Sequence, residues 1–238
     1  MGKLGYGYGS EFHLLRWMGR HRAEFDKRVC EALNVTDVKW FDFKFDRKRE
    51  IPDRELIGLE FIKHEFVKKY PFVKNDSRFE AAYKDYRKYW PQKGNQMNWD
   101  VVGITGETFI LCEAKARIGE IEKKHKDDDT SDSAQKRKEA FEFAKREIGV
   151  CGSTNDWFHN FYQMANRLYI LALLKHRNIR AMLLNIYFCG DCFRGRHCPK
   201  DAEEWRSTII NEEYEKLGIA GNPFVKERVK DLFLPVDR

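Results

Sequence analysis

The chain lacks any long apolar run. Its longest uninterrupted apolar stretches, Leu168 to Leu174 and Ala181 to Leu184, fall far short of the roughly 20 residues that a membrane-spanning helix needs. No apolar signal core follows the start either: Met1-Gly2-Lys3-Leu4-Gly5 runs on into Tyr and Gly, so the expectation is a cytoplasmic chain. The six cysteines, Cys30, Cys112, Cys151, Cys189, Cys192 and Cys198, are scattered through 238 residues and do not make the disulfide framework of a small secreted domain. Reduced thiols are expected. Charge of one sign does not dominate: a net +6 with 34% charged residues permits attraction to phosphate polyanions without announcing it. There is no internal repeat and no low-complexity linker, and 42% hydrophobic side chains suffice to bury one core. A single α/β domain over residues 1–238 is expected.

The apolar positions Leu14, Leu15, Met18, Phe25, Val29 and Leu33 predict one helix from Glu11 to about Leu33, capped by Ser10. Val38 to Phe45 alternates apolar and charged residues as a half-buried edge strand does, and residues 46–62 give no period. Phe79, Ala82, Tyr83, Tyr86 and Trp90 share a helical face that Pro91 ends. Residues 119–138 are dense in charge and predict a solvated loop, with a helix resuming near Ala134. Asp156 to Arg177 predicts a long buried helix and Ala181 to Phe188 a buried strand. A last helix is expected around Ala202 to Leu217, with Leu232, Phe233 and Leu234 free to dock.

Trp99 to Thr105 and Thr108 to Ala114 are β-rich and separated by Gly106-Glu107, the pattern of a tight hairpin. With a two-residue turn Thr105 faces Thr108, and stepping outward puts Asp100 opposite Glu113. Side chains directly opposite have Cβ atoms about 5 Å apart, so two carboxylates converge, and Lys115, two residues from Glu113, joins their face. Two like charges this close call for a cation or a proton between them. With no His or Cys at hand, a hard divalent cation with oxygen ligands, water and substrate phosphate is the natural occupant.

Asn98-Trp99-Asp100 and Glu113-Ala114-Lys115 resemble the PD-(D/E)XK nuclease superfamily, whose signature is an acidic strand residue followed on the next strand by Asp or Glu, any residue, and Lys. Trp99 stands where the family's name has Pro, a position with no chemical duty. The resemblance implies a restriction-endonuclease-like core, a mixed central sheet flanked by helices, in the order helix, three-strand meander, helix and strand. Residues 11–33, 99–116 and 156–188 follow that order. It further implies that Asp100 and Glu113 hold Mg2+, or Mn2+ in its place, while Lys115 orients or activates the attacking water in phosphodiester hydrolysis of DNA. A homodimer is one arrangement such nucleases adopt.

Some members add a carboxylate from the first helix, for which Glu11 is the candidate; otherwise Glu11 complements the positive end of its own helix. Related nucleases set a Gln-bearing helix against the metal strands, which implies a catalytic contact for Gln163 and a phosphate contact for Arg167; otherwise Gln163, Asn166 and Arg167 bond loop backbone. Residues 63–93 hold nine Lys or Arg against four Asp or Glu. Their aromatics sit at core spacing, and the basic rim, including Lys84, Arg87 and Lys88, is the candidate nucleic-acid contact. Cys189, Cys192, His197 and Cys198 start like a zinc site but lack a second pair at proper spacing. Two other readings stay open: a catalytically silent nucleic-acid-binding or assembly protein of the same fold, and a nuclease directed at RNA.

Overall fold

The computed structural model describes residues 7–41, 56–92, 96–121, 131–150, 155–159, 161–192, 195 and 198–236. Five strands form one mixed sheet. β1 (Lys39–Trp40), β4 (Val101–Thr105) and β5 (Thr108–Lys115) are antiparallel neighbours; β6 (Ala181–Cys189) and β7 (Val229–Pro235) continue the sheet parallel to β5. β2 (Leu56–Ile57) pairs with β3 (Asn98–Trp99) in a separate ribbon. Every residue of β5 after Thr108 is buried, as a central strand covered on both faces requires.

The two faces carry separate cores. Ile110, Cys112, Ala114, Leu184, Ile186 and Phe188 pack under α1 (Ser10–Arg20) and α2 (Arg22–Leu33). Phe109, Leu111, Leu183, Tyr187 and Val229 face the larger core built by α4 (Ser77–Tyr89), α5 (Asp132–Ile148) and α6 (Tyr162–His176). α3 (Glu65–Lys68), α7 (Ala202–Trp205), α8 (Asn211–Lys216) and α9 (Pro223–Arg228) complete the helices, with a π-helical turn, Arg206–Ile210, joining α7 to α8. From Met164 to Leu174 every residue of α6 is buried, the mark of a helix enclosed on all sides. Among the described residues no helix is long and apolar enough to cross a membrane.

Several expectations are corrected. The helix read from Glu11 to Leu33 is two helices broken at His21, whose φ of −118° and ψ of 29° leave the helical region. The break lets Leu14 and Trp17 lie on the sheet while Phe25 stacks on Trp40 at 5.3 Å. Ser10 is the first helical residue rather than the cap; Gly9 takes that place, with no side-chain bond. α6 begins at Tyr162, not Asp156, because the Asp156 carboxylate accepts the N–H groups of Phe158 and His159 and holds a turn, and Phe161 sits at φ 46°. This is how Asp competes with helix formation. The tail read as docking residues is β7. Its polar Asp231 interrupts the apolar alternation, and a parallel partner leaves no local signal. α5 starts at Asp132, where Ser131 Oγ caps the Ala134 N–H at 3.2 Å. Of the strand read over Val38 to Phe45, residues 42–45 lie outside the described residues, as do residues 122–130 of the charged loop.

Candidate active site

The β4–β5 hairpin turns at Gly106-Glu107, with Gly106 at φ 53°, a conformation that glycine adopts without strain. Register follows the sequence reading from Thr105–Thr108 out to Val101–Cys112. There it changes. The Asp100 N–H donates to the Cys112 carbonyl at 3.1 Å, so Asp100 and Val101 both answer Cys112, as in a bulge. Asp100 is therefore not the ladder partner of Glu113; it is the hinge between the main sheet and the β2–β3 ribbon. Its carboxylate nevertheless turns to β5, where Oδ2 accepts the Ala114 N–H at 2.6 Å.

Glu113 and Lys115 project from β5 on the α6 side, each 8% exposed. Lys115 Nζ donates to Glu113 Oε1. A fourth group completes the cluster. Arg167, 5% exposed on α6, donates to Glu113 Oε2 through Nε at 3.0 Å and also through Nη2, which reaches the Asn98 carbonyl at 2.7 Å. Its guanidinium lies 4.8 Å from the Trp99 ring centre, and the Trp99 indole is itself fixed to the Gly58 carbonyl at 2.8 Å. Trp99, at the position expected to have no duty, is the shelf on which Arg167 rests.

The electrostatics follow. Burial raises the Glu113 carboxyl, but Arg167 and then Lys115 outweigh it and hold the group at about 2. Burial, reinforced by the Glu113 charge and opposed by Lys115, pushes Asp100 up to about 7. Environment thus splits two neighbouring carboxyls widely, a feature concentrated at functional sites.

The same sheet face carries a second polar row that sequence reading missed. In register with Glu113 stand Asn185 on β6 and Asp231 on β7. Asn185 Nδ2 donates to Asp231 Oδ1 at 3.0 Å, and the Tyr214 hydroxyl reaches the same oxygen at 3.5 Å. Glu213, 5% exposed on α8, is pushed up to about 8 by burial and then by Asp231, with Lys115 pulling it back. Asn185, the one amide within the apolar run Ala181 to Phe188, was the available signal.

Not every predicted residue joins this cluster. Gln163 lies one turn before Arg167 on α6, and its Oε1 is enclosed without a hydrogen-bond partner. Arg167 is buried on Glu113, so the group it meets in this structure is a carboxylate. Glu11 is exposed on α1. Of the face it was expected to share, Leu15 is 38% exposed and Met18 packs partly on the other core, whose buried contacts from this helix are His13, Leu14 and Trp17. The structure does not bring Glu11 to Asp100 and Glu113. Lys84, Arg87 and Lys88 are exposed on α4, with Arg87 3.6 Å from Glu60 and Lys88 over the Tyr89 ring at 4.8 Å. Cys192 and Cys198 sulfurs are 2.8 Å apart, while His197 lies outside the described residues. Among the described residues no three His, Cys, Asp or Glu side chains are grouped to hold a metal.

No family model, curated protein or solved structure matches the chain.

Proposed function

We propose that the chain is a metal-dependent nuclease of restriction-endonuclease-like fold that hydrolyses phosphodiester bonds, in DNA first. The observation that carries the reading is that the Asp100 carboxylate turns to the Ala114 N–H, the backbone group between Glu113 and Lys115, whose side chains pair with each other at the open end of the β4–β5 hairpin. The element order supports it: α1, the antiparallel β1–β4–β5 meander, α6 and the parallel β6 follow the core that the PD-(D/E)XK resemblance implies.

The donor set fits a hard divalent cation. Asp100 is a carboxyl whose charge is disfavoured in this setting, and a cation is what would stabilise the charged form. Asp100 and Glu113 would hold Mg2+ or Mn2+, which supplies Lewis acidity toward the phosphate and acidifies water. The remaining work falls to the chain's own groups. Lys115 moves from Glu113 to a phosphate oxygen or the attacking water, where its positive charge stabilises developing negative charge. Arg167 keeps Glu113 ionised and oriented. Gln163, with an unpaired oxygen in the same region of α6, accepts a hydrogen bond from water. The exposed Lys84, Arg87 and Lys88 supply a sequence-independent contact to the nucleic-acid backbone.

A second reading has one observation in its favour: Glu113 is already neutralised by Arg167 and Lys115, as in a silent nucleic-acid-binding protein. Single- and double-stranded DNA and RNA, incubated with the wild type and Lys115→Ala in Mg2+, Mn2+ or chelator, separate the two. Metal-dependent cutting lost in the variant supports the nuclease and identifies its substrate. Binding without cutting under every condition supports the silent protein.

A further inference from the structure

The two oxygens of Glu113 are not equivalent. Oε2 accepts from Arg167 Nε at 3.0 Å and from Arg167 Nη2, whereas Oε1 accepts from Lys115. These cations are held with different firmness. The Arg167 fork is buried, tied to the Asn98 carbonyl at 2.7 Å and seated on the Trp99 ring at 4.8 Å. Withdrawing it would strand a buried charge, the costly outcome for such a pair. Lys115 carries its ammonium on a flexible stem with rotatable donors and can yield Oε1. On Asp100, Oδ2 is engaged by the Ala114 N–H at 2.6 Å, so Oδ1 is the oxygen it can offer.

We propose that Arg167 serves as a fixed cation in the place a second metal ion would need on Glu113, so that the site takes a single divalent ion through Asp100 Oδ1 and Glu113 Oε1. This rests on the metal-dependent reading above. A two-metal centre sets its ions about 3.5–4 Å apart, and on Glu113 the Arg167 fork already stands against Oε2, where the second of them would sit. Asp231, the next carboxylate along that face, is engaged with Asn185 and Tyr214.

Mn2+ is the probe, counted on the full chain by calorimetric titration and by electron paramagnetic resonance, with and without a DNA oligonucleotide. The expected result is one Mn2+ per chain with the spectrum of an isolated ion, lost in Asp100→Asn. Two ions per chain, or the spectrum of a spin-coupled pair, overturn the proposal and leave metal-dependent hydrolysis standing. No bound Mn2+ with or without oligonucleotide overturns both. Arg167→Met frees Oε2 and is expected to admit a second ion; a folded variant that still counts one overturns the part given to Arg167. If that variant does not fold, the wild-type count decides alone.

Discussion

Arg167 on α6 donates to Glu113 on β5 across 54 residues of sequence, and this pair ties the enclosed helix of the larger core to the strand that carries the site. Both partners are buried. Removing one member of a buried pair typically costs about 3–5 kcal/mol, an upper bound here because Lys115 still answers Glu113 Oε1. Arg167→Met is therefore expected to lose stability up to about that much in urea denaturation. Arg167→Lys, which cannot reproduce the two-pronged contact or the stacking on Trp99, is expected to recover only part of it. Full stability in the lysine variant would show that charge alone is what Glu113 needs.

The pH dependence of stability has two limbs. Glu213 is raised from 4.5 to about 8 and Asp100 from 3.8 to about 7. The folded chain therefore binds these protons more tightly than the unfolded one. The stabilisation is complete below the unfolded values and is lost as pH climbs to 7 and 8, with a slope approaching about 1.4 kcal/mol per pH unit for each group. Glu113 runs the other way: lowered from 4.5 to about 2, it stabilises above 4.5 and loses that contribution as pH falls through 2. Glu213→Gln, which keeps the shape and removes the proton, is expected to flatten the limb between pH 4.5 and 8 in urea melts recorded at several pH values. An unchanged limb would show that burial and the Asp231 charge do not raise Glu213 as described.

Gly103 lies under the Trp40 indole where β1 pairs with β4. A Cβ there would stand 2.7 Å from Trp40 Cε3 and 3.2 Å from the Lys39 carbonyl. Gly103→Ala is expected to cost about 1–3 kcal/mol through overpacking, read as a lower urea midpoint with an unchanged slope.

The basic rim of α4 acts through solvent. Changing Lys84, Arg87 and Lys88 together to Gln is expected to leave the urea midpoint unchanged and to weaken oligonucleotide binding in fluorescence anisotropy. The slope of log affinity against log salt should flatten by about 0.9 for each lost phosphate contact on duplex DNA. Equal slopes for both proteins would place the nucleic acid elsewhere.

The sequence made the hairpin legible because tight turns and alternation are local signals, and it brought Glu113 and Lys115 to one face through the two-residue period of a strand. The shift at Asp100 was not legible: a bulge depends on what the ribbon of Leu56 and Trp99 pulls away from the sheet. Arg167 was noticed as a polar residue in an apolar helix, yet its partner lies far along the chain and could not be chosen between phosphate and carboxylate. Glu11 went astray because the apolar stripe of α1 is wide enough to be read on either of two sides, and Leu14 rather than Leu15 turned inward. β7 and its Asp231 escaped since parallel pairing is a purely long-range choice.

The proposed metal-dependent hydrolytic site stands on Asp100, Glu113 and Lys115. Its most direct test is cleavage of long DNA by the wild type, Asp100→Asn and Lys115→Ala, all shown to be folded, in Mg2+ and in chelator. Fragments are expected from the wild type in Mg2+ alone, with a loss of at least about 100-fold in each variant, the scale on which removing one charge-stabilising group acts. Cutting that persists in chelator, or that survives both substitutions, would contradict it.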